Sequence, residues 1–260
     1  MTTYLDRIVA RHREVAAVDE RPVGDLLAQA REVAPPRAFA DALRASDGLA
    51  VIAEIKRRSP SKGDLNADLD ATEVGRAYER GGATCLSVLT DGEFFGGSVE
   101  DLTAARSATG LPVLRKDFTV GVRDVADARI MGADAVLLIV AALDQRALGE
   151  LHELAVAVGL DALVEVHDER ELEIALRVEA TLIGVNQRDL VTFEVDRDRA
   201  ARMAALIPDG VVRVAESGVR DAADARRLAD AGYDAILVGE SLVAAPDPAA
   251  AVAAFRAAAD

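Results

Sequence analysis

The sequence predicts an α/β protein of the closed (β/α)8 class, a TIM barrel with an N-terminal helical extension. Three observations carry that prediction. Eight short apolar, β-branched runs recur along the chain: GLAVIAEI, TCLSVL, LPVLRK, DAVLLIV, DALVEV, TLIGVN, VVRVAES and DAILVG. Their starts lie roughly 20 to 35 residues apart, which fits one strand–helix unit each. The segments between them have helical periodicity and end alike, in RGGAT, MGADA, AVGLDA and DAGYDA. Gly after a helix supplies the left-handed cap, and the next strand follows within a few residues. An open doubly wound sheet would more usually have five to seven strands, with a glycine fingerprint after the first. Here KRRSPSKG follows the first run instead. The 260 residues fit a single barrel domain, with residues 1–48 as the extension.

In chain order, the extension reads as two helices, roughly 3–18 and 37–46, joined by a segment containing Pro22, Pro35 and Pro36. A barrel does not require them, so they are expected to cover its bottom or fold over its mouth. Strand 1 ends in Glu54 and Lys56, two residues apart and therefore on one face. Ser59 and Ser61 in the following loop add hydroxyl donors. Strand 2 contains Cys85, read as a small buried hydrophobe; as the chain's one cysteine it forms no internal disulfide. Strand 3 ends in Arg115, Lys116 and Asp117. Strand 5 ends in Glu165, with His167 following, either near the mouth or at a helix start. Strand 6 ends in Asn186 and Arg188, with Gln187 pointing away from the mouth by alternation. Strand 7 ends in Glu216, Ser217 and Gly218, and strand 8 in Gly239, Glu240 and Ser241.

Active sites of this fold lie at the C-terminal ends of the strands. Six residues, Glu54, Lys56, Lys116, Glu165, Asn186 and Glu216, hold that position. Buried charges cost several kcal/mol each unless paired, so the cluster reads as functional. Ser217-Gly218 and Gly239-Glu240-Ser241 leave backbone N–H groups free after strands 7 and 8, the usual phosphate site of the fold. A lysine in that cluster is expected among other cations and partly desolvated, with its pKa lowered.

Other chemistries are disfavoured. A net charge of -15 argues against a general nucleic-acid binder. There is no apolar run of about 18 residues and no signal-peptide core, so a cytoplasmic protein is expected. His12, His152 and His167 have no metal-ligand spacing, and His12 and His152 are read as helix-surface residues. No cofactor is implied.

Taken together, IAEIKRRSPSKG, LSVLTDGEFFGGSVEDL, PVLRKDF, LVEVH, IGVNQRDL, AESGV and LVGESL, in this order, resemble the indole-3-glycerol phosphate synthase family over residues 3–255. The resemblance implies a carboxy-lyase of tryptophan biosynthesis acting on a phosphosugar–anthranilate substrate; a monomer is expected, with an oligomer left open. It implies Lys116 as the acid of ring closure and Lys56 beside the substrate carboxylate, with the acid of dehydration as a second role open to Lys56. Glu54 and Glu165 would handle later proton transfers, and Asn186 would orient sugar hydroxyls or Glu54. Arg188 and Glu216 would bind substrate. Ser59, Ser217, Gly218, Gly239 and Glu240 would hold its phosphate, Glu240 through its backbone because a carboxylate repels the anion. Phe94 or Phe95, Phe118 and Leu137 would pack on its aromatic ring. The related phosphoribosylanthranilate isomerases use a Cys at the end of strand 1, where this chain has Glu54 and Lys56.

Overall fold

The computed structural model describes residues 3–59, 62–189 and 193–258; Ser61 lies outside them. Eight parallel strands close into a barrel: β1 (Ala50–Ile55), β2 (Cys85–Leu89), β3 (Val113–Lys116), β4 (Ala135–Ile139), β5 (Asp161–Val166), β6 (Leu182–Asn186), β7 (Val212–Glu216) and β8 (Ala235–Val238). Each strand pairs with its sequence neighbour, and β1 closes on β8 in the register Ala50↔Ala235 to Ala53↔Val238.

Strand alternation sorts the residues into two apolar layers. Inside the barrel lie Ala50, Ile52, Leu114, Leu137, Leu163, Leu182, Val214 and Leu237. Outside, against the helices, lie Val51, Ala53, Ile55, Leu86, Val88, Val136 and Val164. Glu54, Lys116, Glu165, Asn186 and Glu216 continue the inward parity at the top. Cys85 is fully buried within the inner layer.

The helices start where short polar side chains accept from free backbone N–H groups. Asp70 caps α4 (Ala71–Arg80), Ser98 caps α6 (Val99–Ala108), Asp144 caps α8 (Gln145–Ala157) and Asp168 caps α9 (Glu169–Arg177). Asp221 likewise caps α11 (Ala222–Asp230), and Asp247 caps α13 (Pro248–Ala257). Shorter helices follow β2 (α5, Gly92–Phe95) and β8 (α12, Glu240–Val243); α7 (Val122–Ile130) follows β3 and α10 (Arg199–Ala204) precedes β7. The expected glycine turns stand after α4, α7, α8 and α11, where Gly82, Gly132, Gly159 and Gly232 have φ of 86° to 91°.

The extension has three helices, not two: α1 (Tyr4–Val18), α2 (Val23–Glu32) and α3 (Phe39–Arg44). Both expected placements occur. α1 lies over the mouth, where Tyr4, Leu5 and Ile8 face the central cavity. α2 runs down the outside along α7, with Arg21 on Asp127 at 2.7 Å and Arg129 donating to the Val33 and Ala34 carbonyls. α3 plugs the bottom with buried Phe39, Ala40 and Leu43. Its backbone is fixed there, since Ala40 N–H donates to Asp161 Oδ2 at 2.9 Å. A two-stranded hairpin, Arg58–Ser59 with Gly63–Asp64, follows β1. Among the described residues, no helix is long and apolar enough to cross a membrane.

Candidate active site

A cavity of about 530 Å³ opens at the C-terminal ends of the strands. Glu54, Lys56, Ser59, Lys116, Glu165, Asn186, Arg188 and Glu216 line it, together with Ser217, Gly218, Gly239 and Glu240. Phe95, Phe118 and Leu137 form part of its wall. Phe94 does not: its ring packs edge-on against Tyr4, with centroids 5.9 Å apart, beside a shallow outer groove.

Lys116 stands at the centre. Its Nζ lies 3.2 Å from Glu216 Oε2, 3.8 Å from Glu165 Oε2 and 3.9 Å from Glu54 Oε2. The expected cationic surroundings are therefore replaced by three carboxylates. Burial alone would lower the Lys116 pKa, but Glu216, Glu54 and Glu165 outweigh it and hold the ammonium above the ordinary lysine range. Strand ends show which way a side chain points but not which charges meet across a barrel, hence the correction in sign.

The carboxylates differ in environment. Glu54 accepts from Lys56 Nζ at 2.7 Å and from Ser87 Oγ at 3.3 Å. Burial opposes its ionisation, but Lys56 and Lys116 prevail and its pKa is lowered. Glu216 is pushed up to about 7, first by burial and then by the charges of Glu165 and Glu54, with Lys116 opposing. Its Oε1 is buried without a hydrogen bond. Asn186 Nδ2 donates to Glu165 Oε1 at 3.0 Å, so Asn186 orients Glu165, not Glu54. The Asn186 side chain also accepts from Arg188 N–H at 3.0 Å.

At the other end of the cavity, Ser217 and Gly218 both have positive φ, 66° and 76°. Gln187 points away from the cavity, as alternation requires, yet its Nε2 donates to the Ser217 carbonyl at 2.7 Å and so holds this turn. Ser241 Oγ ties the two anion loops together by donating to the Val219 carbonyl at 2.6 Å. The α11 N-terminus is taken by Asp221, so of the two helices after these turns only α12 starts directly at its loop. The Glu240 side chain pairs with Lys62, and with Arg188 at 3.5 Å. Sequence reasoning missed Lys62, Arg197 and Arg220 as cavity-lining cations, and Tyr4, Leu5, Ile8 and Val195 as wall. Lys62, within SPSKG, had a signal in its closeness to Ser59; Arg197 and Arg220 had none, because neither ends an apolar run.

His12 is not a surface residue. Its Nε2 lies 2.9 Å from Asp91 Oδ2 and 3.7 Å from Asp117 Oδ1, and its ring is tilted against Phe118. These three side chains are close enough to hold a metal ion. Most of their lone pairs already accept hydrogen bonds from the protein, however. Asp91 Oδ1 accepts from the Phe94 and Phe95 N–H groups, and Asp117 from Thr90, Arg115 and its neighbour's N–H. The cluster works as a hydrogen-bonded latch fastening α1 to the mouth.

Comparison with known proteins adds the following. The family model described as indole-3-glycerol phosphate synthase matches residues 5–255. A protein of that name from Mycolicibacterium vanbaalenii is 51% identical, covering 96% of this chain and 93% of the relative. Indole-3-glycerol phosphate synthase 2 of Streptomyces coelicolor is 54% identical over 85% of this chain and 86% of its own length. Among solved structures, thiamine phosphate pyrophosphorylase from Pyrococcus furiosus superposes with a TM-score of 0.60 over 81% of this chain and 95% of that one. At 18% identity it shares the fold alone.

Proposed function

The chain belongs to the indole-3-glycerol phosphate synthase family, and from that membership we propose that it converts 1-(2-carboxyphenylamino)-1-deoxyribulose 5-phosphate to indole-3-glycerol phosphate. The observation that carries the assignment of roles is the Lys116 ammonium, buried among three carboxylates at the floor of the cavity.

Ring closure needs a proton on the ribulose carbonyl oxygen as the new carbon–carbon bond forms. Lys116 supplies it. The carboxylates that raise its pKa make it a weaker acid, but they also keep it protonated at neutral pH. A developing alkoxide is a stronger base than an amine, so the proton still moves to substrate. Lys56 lies beside the anthranilate carboxylate with Arg188, stabilising it until carbon dioxide departs. Glu165 and Glu54 then take the ring proton and assist loss of the hydroxyl as water. Glu216, poised near neutrality, binds and orients the sugar. Phe95, Phe118 and Leu137 hold the aromatic ring. Ser59, the Ser217-Gly218 turn and the backbone of Gly239-Glu240 hold the phosphate. The Glu240 carboxylate competes with that phosphate for Lys62 and so must turn away when the anion arrives.

Turnover of the named substrate tests the activity, and Lys116→Met tests the central role. The variant should keep its melting curve and lose activity by ~10²-fold or more, the usual worth of acid catalysis. A folded variant retaining more than about a tenth of the wild-type rate is incompatible with the role, because the acid would then be dispensable.

A further inference from the structure

The cavity floor has a second layer that none of these roles uses. His167 stands directly behind Glu165, with its side chain only 12% exposed, and does not line the cavity. Its Nδ1 is 3.0 Å from Glu171 Oε2, and the same oxygen accepts the His167 backbone N–H at 2.8 Å. An ionised carboxylate only accepts, so Nδ1 carries a proton. Nε2 is left buried, without a hydrogen bond, 3.4 Å from Glu165 Oε1. In the neutral ring that nitrogen would present a bare lone pair to a carboxylate oxygen. A proton on Nε2 turns the contact from repulsive to attractive.

We propose that His167 is a positioning residue for Glu165: its imidazolium, anchored by Glu171, holds the Glu165 carboxylate in place and aimed into the cavity beside Asn186. This rests on the proton-transfer role given to Glu165 above. The need is electrostatic. Glu165 shares the floor with Glu54 and Glu216, and Lys116 alone faces all three. A second cation behind Glu165 offsets that crowding without entering the space of the substrate.

The charged groups around His167 favour the cation. Burial disfavours it, but the hydrogen bond to Glu171 and the charges of Glu165 and Glu171 together outweigh burial and the opposing Arg199 of α10. The net pKa lies above the ordinary imidazole value. The imidazolium is thus present below that raised value and is lost as pH rises through it.

The test is turnover against pH for wild type, His167→Asn and Glu171→Gln, with NMR titration of the His167 ring. In His167→Asn, kcat should fall about tenfold near pH 6, and the gap should close at higher pH as the wild-type imidazolium loses its proton and the wild-type rate falls towards that of the variant, with KM within about twofold throughout. Glu171→Gln should shift the profile the same way by less. In Glu165→Gln, the His167 ring should titrate at lower pH than in wild type. A loss of equal size at every pH, a superimposable profile, or an unmoved ring titration overturns the proposal. The NMR and Glu171→Gln arms stand even if His167→Asn fails to fold. Wild-type turnover by Glu165→Gln would instead sink the role of Glu165 itself, whatever His167 does.

Discussion

Two glycines at the top of the barrel leave room for two glutamates. A Cβ on Gly184 would collide with Glu216 Oε1, and a Cβ on Gly239 would lie 2.5 Å from Glu54 Oε1. Each carboxylate fills the place that a neighbouring strand leaves empty. The inward parity of both glutamates is legible in the sequence, because it needs only alternation within one strand. The cross-strand slot is not, because it depends on the register between paired strands. For the same reason Lys116 could be placed at the mouth but not among its three acids. Glu216 carries a pH consequence. Its folded pKa, about 7, lies above the ordinary carboxyl value, so its ionised form is the costly one. Its contribution to stability falls as pH rises from the ordinary value through about 7. Glu216→Gln should therefore melt higher than wild type at pH 8, with the gain shrinking as pH falls through about 7 and gone near the ordinary carboxyl value; thermal melts across pH check this.

Among the elements, the barrel strands and their helices are legible because each declares itself locally, by a β-branched run or a glycine stop. The second extension helix does not. Its sequence, VGDLLAQARE, begins after Pro22, carries Gly24 in its first turn and buries only Leu26 and Ala30. It is helical because it packs along α7. The hairpin after β1 and the bridge Arg188↔Val195 after β6 are likewise set by tertiary contacts. That bridge bears on the anion loops. It places Val195 against Gly218, so that a Cβ on Gly218 would strike Val195 Cγ1, at a φ of 76° that also strains any L side chain. Gly218→Val should accordingly displace the turn held by Gln187 and raise KM by ~10-fold or more, since phosphate affinity is binding energy remote from the chemistry. A substrate lacking its phosphate, compared on both proteins, checks this. Undiminished discrimination for phosphate by the variant would place the anion elsewhere.

At the scale of the molecule, the two ends of the barrel have separate duties. The mouth concentrates charge at some cost to stability; the bottom is closed by Phe39, Ala40 and Leu43, buried apolar residues with no part in the site. Phe39→Ala should thus lower stability by ~3–5 kcal/mol while leaving kcat and KM of the folded protein unchanged. Chemical denaturation and steady-state rates measured on the same sample separate the two. A changed KM would mean that the plug is felt at the mouth. The closed barrel itself was legible from the repeat of eight units, whereas the path of the extension over the mouth, down one side and beneath the bottom was not. The closure has a further consequence for how the protein comes into being. Glu54 is on the first strand, and the wall behind its carboxylate is Gly239, at the end of the last. The seam of the barrel passes through the reaction centre. During synthesis the ribosome delivers the two sides of that seam some 185 residues apart, at opposite ends of the growing chain. Ring-closing activity is then the latest property the nascent chain can acquire. Its appearance would time the completion of the fold more sharply than any spectroscopic signal from helices, which form from local contacts long before.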